Sequence, residues 1–529
     1  MSFSSSPDIR SRPREIGQPP PGPVSRRWKL NAAGAARLAA ALAGAAAIIT
    51  VLIIAVCRLS YPFNVEWLEG NSLVEVHRIL AGQPVYAAPT AQYVPDGYPP
   101  LYFAVSAAAA SVLGLSYLPL RLVSLLSALA CFALLGRLVQ RETGSAAAGT
   151  GAAGLFAATY FVTGTWFDVA RVDSLFLALS MGGLYAARWM TGTRGAIAAG
   201  VLLAAAALTK QTGLAEGVVV LAALTPGPRR RLACVAALAE FTVLGVTTLV
   251  LTLTSGGWYF YYVFEQMSEH ALNDSSFGGF WTSLLPAVGI AAFAAVIAAR
   301  RVPLVLLAGC AALAVEGYVA LVHSGSGANN LLPAYLAVAL LAGLALGNSG
   351  SAWWTSAASG VLVAVQSVLL LSGFHPAQAI PTSADRAAGQ RLVSGMKAFG
   401  GTVAIPMDPG LSLTAGMQPA AHQDAVNDVL RASNQAAIAS FERSVAEAVA
   451  SQRFSAIITD GPGLPRGYPP SLTRYYRQCP QRLLAGVPAA VFEPVAGIKI
   501  RPATVWLPRN RGSCQAAVSI LDGASGTRQ

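Results

Sequence analysis

Between residues 34 and 372 the chain is a succession of apolar runs broken by short polar turns. A run of about 20 apolar residues is the length that crosses a hydrocarbon core as a helix. Inside that core each backbone polar group must find its partner within the segment, so helices are the form such runs adopt. We place spans at 34–58, 119–139, 146–164, 172–190, 194–208, 212–225, 231–254, 282–299, 302–322, 330–347 and 352–372. Composition agrees, with 54% hydrophobic and only 11% charged residues, against roughly a quarter charged in soluble domains.

Sidedness follows from the cations. Arg26, Arg27 and Lys29 precede the first span; Arg137 with Arg141, Arg188 with Arg194, Arg229 to Arg231, and Arg300 with Arg301 recur at alternate turns. The remaining loops carry few cations, chiefly Arg78 and Lys210. Basic residues collect on the cytoplasmic side. The pattern therefore predicts a polytopic α-helical protein of a bacterial inner membrane, with about eleven spans, a cytoplasmic N-terminus and a periplasmic C-terminus. The net charge of +12 belongs to these loops and is no nucleic-acid signal. Residues 98–114 are apolar enough to be another span, but counting them would export every basic cluster. We read them as a juxtamembrane or re-entrant helix within the first external loop, about residues 60–118.

Three segments result. Residues 1–30, rich in Ser, Pro and Arg, read as a disordered cytoplasmic tail rather than a signal peptide. Residues 31–374 form the transmembrane domain, and residues 375–529 a small periplasmic α/β domain. In that last segment strands are expected at 402–406, 455–460 and 489–494, and helices at 384–399 and 435–452. Cys479 and Cys514 both lie there, where an oxidising compartment would let them pair. The turns MDPG and TDGPG follow two of the strands; ligand-facing roles are open to them, though ordinary turn chemistry accounts for them.

The unusual polar residues gather on the external side. From Glu66 to Leu80 the first loop has a helical pattern, with Leu68, Leu73, Val76, Ile79 and Leu80 in one apolar stripe and Glu75 and Arg78 opposite. Glu69 lies within the stripe and Glu66 at its border, where a carboxylate is costly without a role or partner. Both equally suit the start of a helix, whose dipole favours acids. In WFDVARVDSLF, Arg171 and Asp173 open an apolar helix; they could bind substrate or simply pair and cap. In LTKQTG, Lys210 and Gln211 occupy an external turn, Lys210 as a possible ligand or a snorkelling lysine. His270 and Asp274 sit in an aromatic-rich loop, and Asn329 with Asn330 in HSGSGANN could contact a sugar or cap the next helix. Glu216, Glu240 and Glu316 fall inside spans without the regular spacing of a proton relay. No ligand-spaced cluster argues for a metal, and dependence on a divalent ion stays open.

The order of pieces resembles a known family. An acid-bearing amphipathic helix ends in GQPVY, YPPLY follows, then LPLRL opens the next span, RLVQRETGS makes a basic turn, and ARVD comes after. This looks like the GT-C class of membrane glycosyltransferases, which contains protein O-mannosyltransferases and the lipid A aminoarabinose transferase. Within it the likeness is to the bacterial branch grouped with rhizobial lipopolysaccharide glycosyltransferases. The resemblance covers roughly residues 35–350. It implies a sugar donor on a polyprenyl phosphate and transfer at the periplasmic face, with inversion, to a cell-envelope glycan, lipid or protein. It also implies an acidic base early in the first external loop, a position that falls on EWLEG, so Glu66 and Glu69 both match. The family's usual Asp-containing pair is absent here, which leaves the choice between them open. The donor phosphate needs cationic and hydroxyl donors, for which Arg171, Lys210, Tyr98 and Tyr102 are the candidates. A flippase for lipid-linked glycans, or an inactive scaffold of the same fold, is the alternative reading; polar residues massed at one interface favour the enzyme.

Overall fold

A computed structural model describes residues 32–298, 302–347 and 353–523. The expected tail at residues 1–30 and the Arg300–Arg301 pair lie outside the described residues. Helices occupy all eleven segments read as spans: α1 Ala32–Leu59, then, after α2 Glu69–Leu80 and α3 Leu101–Leu113, α4 Tyr117–Thr143, α5 Ala146–Ala158, α6 Asp173–Trp189, α7 Gly192–Ala207, α8 Gly213–Ala222, α9 Arg230–Thr254, α10 Asp274–Ala298, α11 Leu304–Val322, α12 Leu332–Gly347 and α13 Trp353–Ser372. By length and composition, seven stretches among the described residues suffice to cross a membrane; α3, α5, α7 and α8 are apolar but shorter.

Local chemistry sets the helix ends and the closest packing. Gly144 stops α4 in a left-handed conformation, φ 72°, and Ser145 caps α5 by accepting from the Ala148 N–H at 3.2 Å. Where α1 crosses α5, a Cβ on Gly154 would lie 1.9 Å from the Gly44 Cα. Only glycine permits that approach, the small-residue device by which helices pack in lipid.

The C-terminal region holds α14 Ser383–Phe399, α15 Pro409–Thr414, α16 Gln423–Arg431, α17 Gln435–Ala450 and α18 Cys514–Leu521. Their sheet contains β1 Val403–Ala404, β2 Ala456–Thr459, β3 Tyr476–Arg482 and β4 Thr504–Pro508, in the order β1-β2-β4-β3. β1 and β2 are parallel; β4 runs antiparallel to both of its neighbours. Thr382 and Asp385 form a reciprocal capping box for α14, and a Cys479–Cys514 disulfide ties β3 to α18. This region rests on the first long loop: Glu66 bridges to Ala496, and the Phe63 ring meets the Phe492 ring edge-on at 5.3 Å. One apolar core runs from Leu135 in the bundle through Phe63 to Leu392 and Val505.

Two local expectations fail. Residues 489–494 form turns rather than a strand, because Phe492 takes φ 69° to reach Phe63; the sheet is completed instead by β3 and β4. Glu75, expected on the solvated side of α2, is fully buried. Residues 84–96 fold back over that side, so its carboxylate accepts from the Tyr93 hydroxyl at 2.5 Å and the Asp96 N–H at 2.9 Å.

Candidate active site

Glu69 opens α2 and is closed in on every side. Arg121, the arginine of LPLRL, reaches it from α4 with two hydrogen bonds of 2.9 and 2.6 Å. The N–H groups of Ala170 and Val65 add bonds of 2.7 and 2.8 Å. Burial works to raise its pKa, yet the Arg121 guanidinium and these donors hold the carboxyl below its ordinary value. Arg121 also donates to the Tyr61 and Phe63 carbonyls, so one ion pair fixes the chain entering α2. Beside it, buried Arg58 clamps Asp168 at 2.6 and 2.5 Å.

Glu66, three residues earlier, has the opposite environment. It lies just before α2, fully buried. One oxygen accepts the Leu68 N–H at 3.0 Å, while Oε1 is buried without a hydrogen-bond partner. Burial pushes its pKa well above the ordinary carboxylate range; Arg171 opposes the rise and Glu69 adds to it. Gly497 of the C-terminal region closes over this oxygen: with φ 69°, a Cβ there would sit 2.6 Å from Oε1.

Arg171 is the hub of the surrounding charges. Its guanidinium contacts Asp96 at 3.4 Å and lies 5.3 Å from the centre of the Tyr98 ring. Burial lowers its pKa, but Tyr98, Asp96, Glu66 and Asp173 outweigh it, so the guanidinium stays charged. Asp96 is held by the Asn71 amide at 2.5 Å. Alongside, Lys210 reaches Asp173 at 3.3 Å and Glu316 at 3.9 Å, and Trp166 donates to Asp173 at 2.7 Å. The Gln211 amide bonds the Gly97 carbonyl at 3.1 Å, joining the two turns. Both cations are thus buried in long, incomplete ion pairs.

Glu66, Arg171, Tyr98, Lys210, Asp173 and Gln211 therefore converge. Tyr102 stands behind them: its hydroxyl bonds the Leu120 carbonyl and Ser124 at 3.1 Å each, and Ser124 supports the Arg171 carbonyl. The remaining candidates are engaged elsewhere. His270 meets Asp428 at 3.4 Å, Asn330 is bonded to the Ala320 carbonyl, and the Asn329 side-chain oxygen covers Gly327. The sequence reading singled out neither Asp96 nor the C-terminal residues His422 and Asp424. Asp424 feels burial first, then Asp96, with Arg171 opposing, and its carboxyl is pushed up to about 6. Burial and Arg171 push His422 down to about 3, leaving a neutral imidazole with its ring 5.4 Å from Trp67. Among the described residues no group of three or more His, Cys, Asp and Glu is placed to hold a metal ion.

Next to Gln211 a cavity of about 460 Å³ opens between α7, α8 and α9. Leu208, Leu214, Phe241, Leu244, Leu249 and Phe260 make its wall almost wholly apolar.

No protein-family model matches the sequence, and no curated protein matches it. Solved structures do. ArnT from Cupriavidus metallidurans bound to undecaprenyl phosphate superposes with a TM-score of 0.51 at 14% identity, covering 72% of this chain and 85% of that one. The apo form of the same protein gives 0.50 at 14% identity, covering 72% and 84%. The Archaeoglobus fulgidus oligosaccharyltransferase tethered to an acceptor peptide gives 0.47 at 13% identity, covering 84% and 73%. At such identities the likeness is one of fold, and in its helical body and small C-terminal sheet region this chain has the fold of the GT-C class of membrane glycosyltransferases.

Proposed function

We propose that the chain is an inverting membrane glycosyltransferase that moves a sugar from a polyprenyl-phosphate donor to a hydroxyl of a cell-envelope acceptor on the periplasmic side. The observation that carries this reading is Glu66: a buried carboxylate with one unpartnered oxygen, beside a guanidinium that is only loosely paired. Leaving a buried acceptor unsatisfied costs about 1–3 kcal/mol, which a binding or catalytic role explains. The fold likeness to a protein solved with undecaprenyl phosphate supports the donor class.

In this mechanism the ionised form of Glu66, made the stronger base by its raised pKa and supported by the charge of Arg171, takes the proton of the acceptor hydroxyl as its oxygen attacks the anomeric carbon. The new C–O bond forms on the face opposite the phosphate, and the bond from carbon to phosphate oxygen breaks with its electrons staying on phosphate. Arg171 and Lys210 exchange Asp96 and Asp173 for that growing charge. Tyr98 holds the Arg171 plane. The phosphate is a good leaving group, so no general acid is needed. The apolar cavity beside Gln211 takes the first isoprene units. Glu69 acts through position alone, since its oxygens are occupied.

Glu66→Gln is expected to lower sugar transfer by about 10²–10⁴-fold, the usual worth of a general base, with lipid-donor binding retained. Transfer assayed in proteoliposomes with radiolabelled polyprenyl-phosphate sugars measures it. Full transfer by the Gln variant would remove the proposal.

A further inference from the structure

The mechanism leaves a crevice in the C-terminal region unused. β1 and β2 run parallel, and the turns after them, MDPG and TDGPG, flank a cavity of about 390 Å³. That volume falls in the range of small-molecule sites, about 300–1,000 Å³. Carboxyl ends of parallel strands are where α/β sheets leave room for ligands.

Its lining is more polar than that of the cavity at α9: Asp460, Thr459, Gln423, Asn427 and Arg466 stand there beside the apolar Pro406, Met407, Leu464 and Pro465. These groups are held before any ligand arrives. The Gln423 amide donates to the Asn427 side-chain oxygen at 3.3 Å and to the Arg466 carbonyl at 3.1 Å. Asp460 uses one oxygen, Oδ2, to accept the Arg501 N–H at 3.0 Å. A Cβ added at Gly461 would meet nothing within 4 Å, so bare backbone faces open space there. A fixed carboxylate accepts from hydroxyls and carboxamides both donate and accept, the mixed set that the hydroxyls of a sugar ring can satisfy. The same helix, α16, links this crevice to the reaction centre: Gln423 and Asn427 line the crevice, while adjacent His422 and Asp424 sense Arg171.

We propose that the crevice is a carbohydrate-binding subsite, occupied by a sugar unit of the acceptor lying beyond the hydroxyl that reacts. The word acceptor rests on the function proposed above; sugar binding itself does not.

The test uses the full chain in lipid nanodiscs and saturation-transfer NMR with methyl glycosides of glucose, mannose, galactose and galacturonic acid. At least one glycoside should show saturation transfer with wild type and equally with Glu66→Gln. Asp460→Asn, which keeps an acceptor for the Arg501 N–H, and Asn427→Ala should each weaken that binding about tenfold, the equivalent of one good hydrogen bond. No glycoside bound by wild type, or binding unchanged in both crevice variants, overturns the proposal. Binding that depends on Asp460 in a protein with no transferase activity would keep the subsite and sink the enzyme reading. Transfer with an acceptor KM unmoved by Asp460→Asn would do the reverse.

Discussion

Two buried charge clusters lie side by side under the C-terminal region, and they are built on opposite principles. Around Glu69 and Arg58 each guanidinium meets its carboxylate twice, at 2.5–2.9 Å, and both also bond backbone carbonyls. Around Glu66 and Arg171 the ion pairs are 3.3–3.9 Å long, and a carboxylate oxygen goes without a partner. Breaking one member of a complete buried pair leaves an uncompensated charge, which is costly. An incomplete cluster has less to lose and stays free to accept a charged ligand. On the proposed function, stability belongs to the first cluster and chemistry to the second, although their glutamates are only three positions apart.

Removing a cation from each cluster breaks or sharpens that contrast. Arg121→Met should cost about 3–5 kcal/mol by stranding the Glu69 charge, read as loss of monodisperse protein and a lowered unfolding midpoint. Adding Glu69→Gln should recover part of the loss. Arg171→Met should instead leave the midpoint far less changed and lower transfer by about 10²–10³-fold, as for loss of one electrostatic donor. Equal damage to folding by both variants would erase the distinction.

The smallest expected effect concerns Asp408 of MDPG, a lone buried carboxyl at the edge of the closed cluster with Oδ1 unpartnered. Burial, helped by Asp460, raises it to about 8. The folded protein therefore binds this proton more tightly than the unfolded chain, whose carboxyl titrates near 3.9. Its contribution to stability is full below about pH 4 and is lost as pH rises to about 8. Asp408→Asn should be neutral near pH 4 and stabilising by about 1 kcal/mol at pH 8. Thermal midpoints of the two proteins across that interval check the sign.

The eleven apolar segments were legible because periodicity and length are local, and each became a helix. Glu66, Arg171, Asp173 and Lys210 stood out for a similar reason: charge in an apolar neighbourhood is conspicuous in a string of letters. Their partners were not. Asp96 drew no role ahead of YPPLY, and Arg121 appeared only as part of LPLRL at the opening of a span. His422 and Asp424 sit hundreds of positions away from Arg171, in a segment read only as a small α/β domain. Residues 489–494 misled because a short apolar run signals a strand only when a neighbouring strand is free to pair with it.

Sequence alone thus determined that the chain lives among lipids as a bundle of helices, because hydrocarbon enforces helix formation segment by segment. It also named Glu66, Arg171, Asp173 and Lys210, charges that the fold brings together. Only the tertiary structure decided which glutamate is clamped and which is left with an open oxygen. Ion pairing depends on distances of a few ångströms between groups far apart in the chain, and those distances exist only once α4, the first long loop and the C-terminal region have packed together.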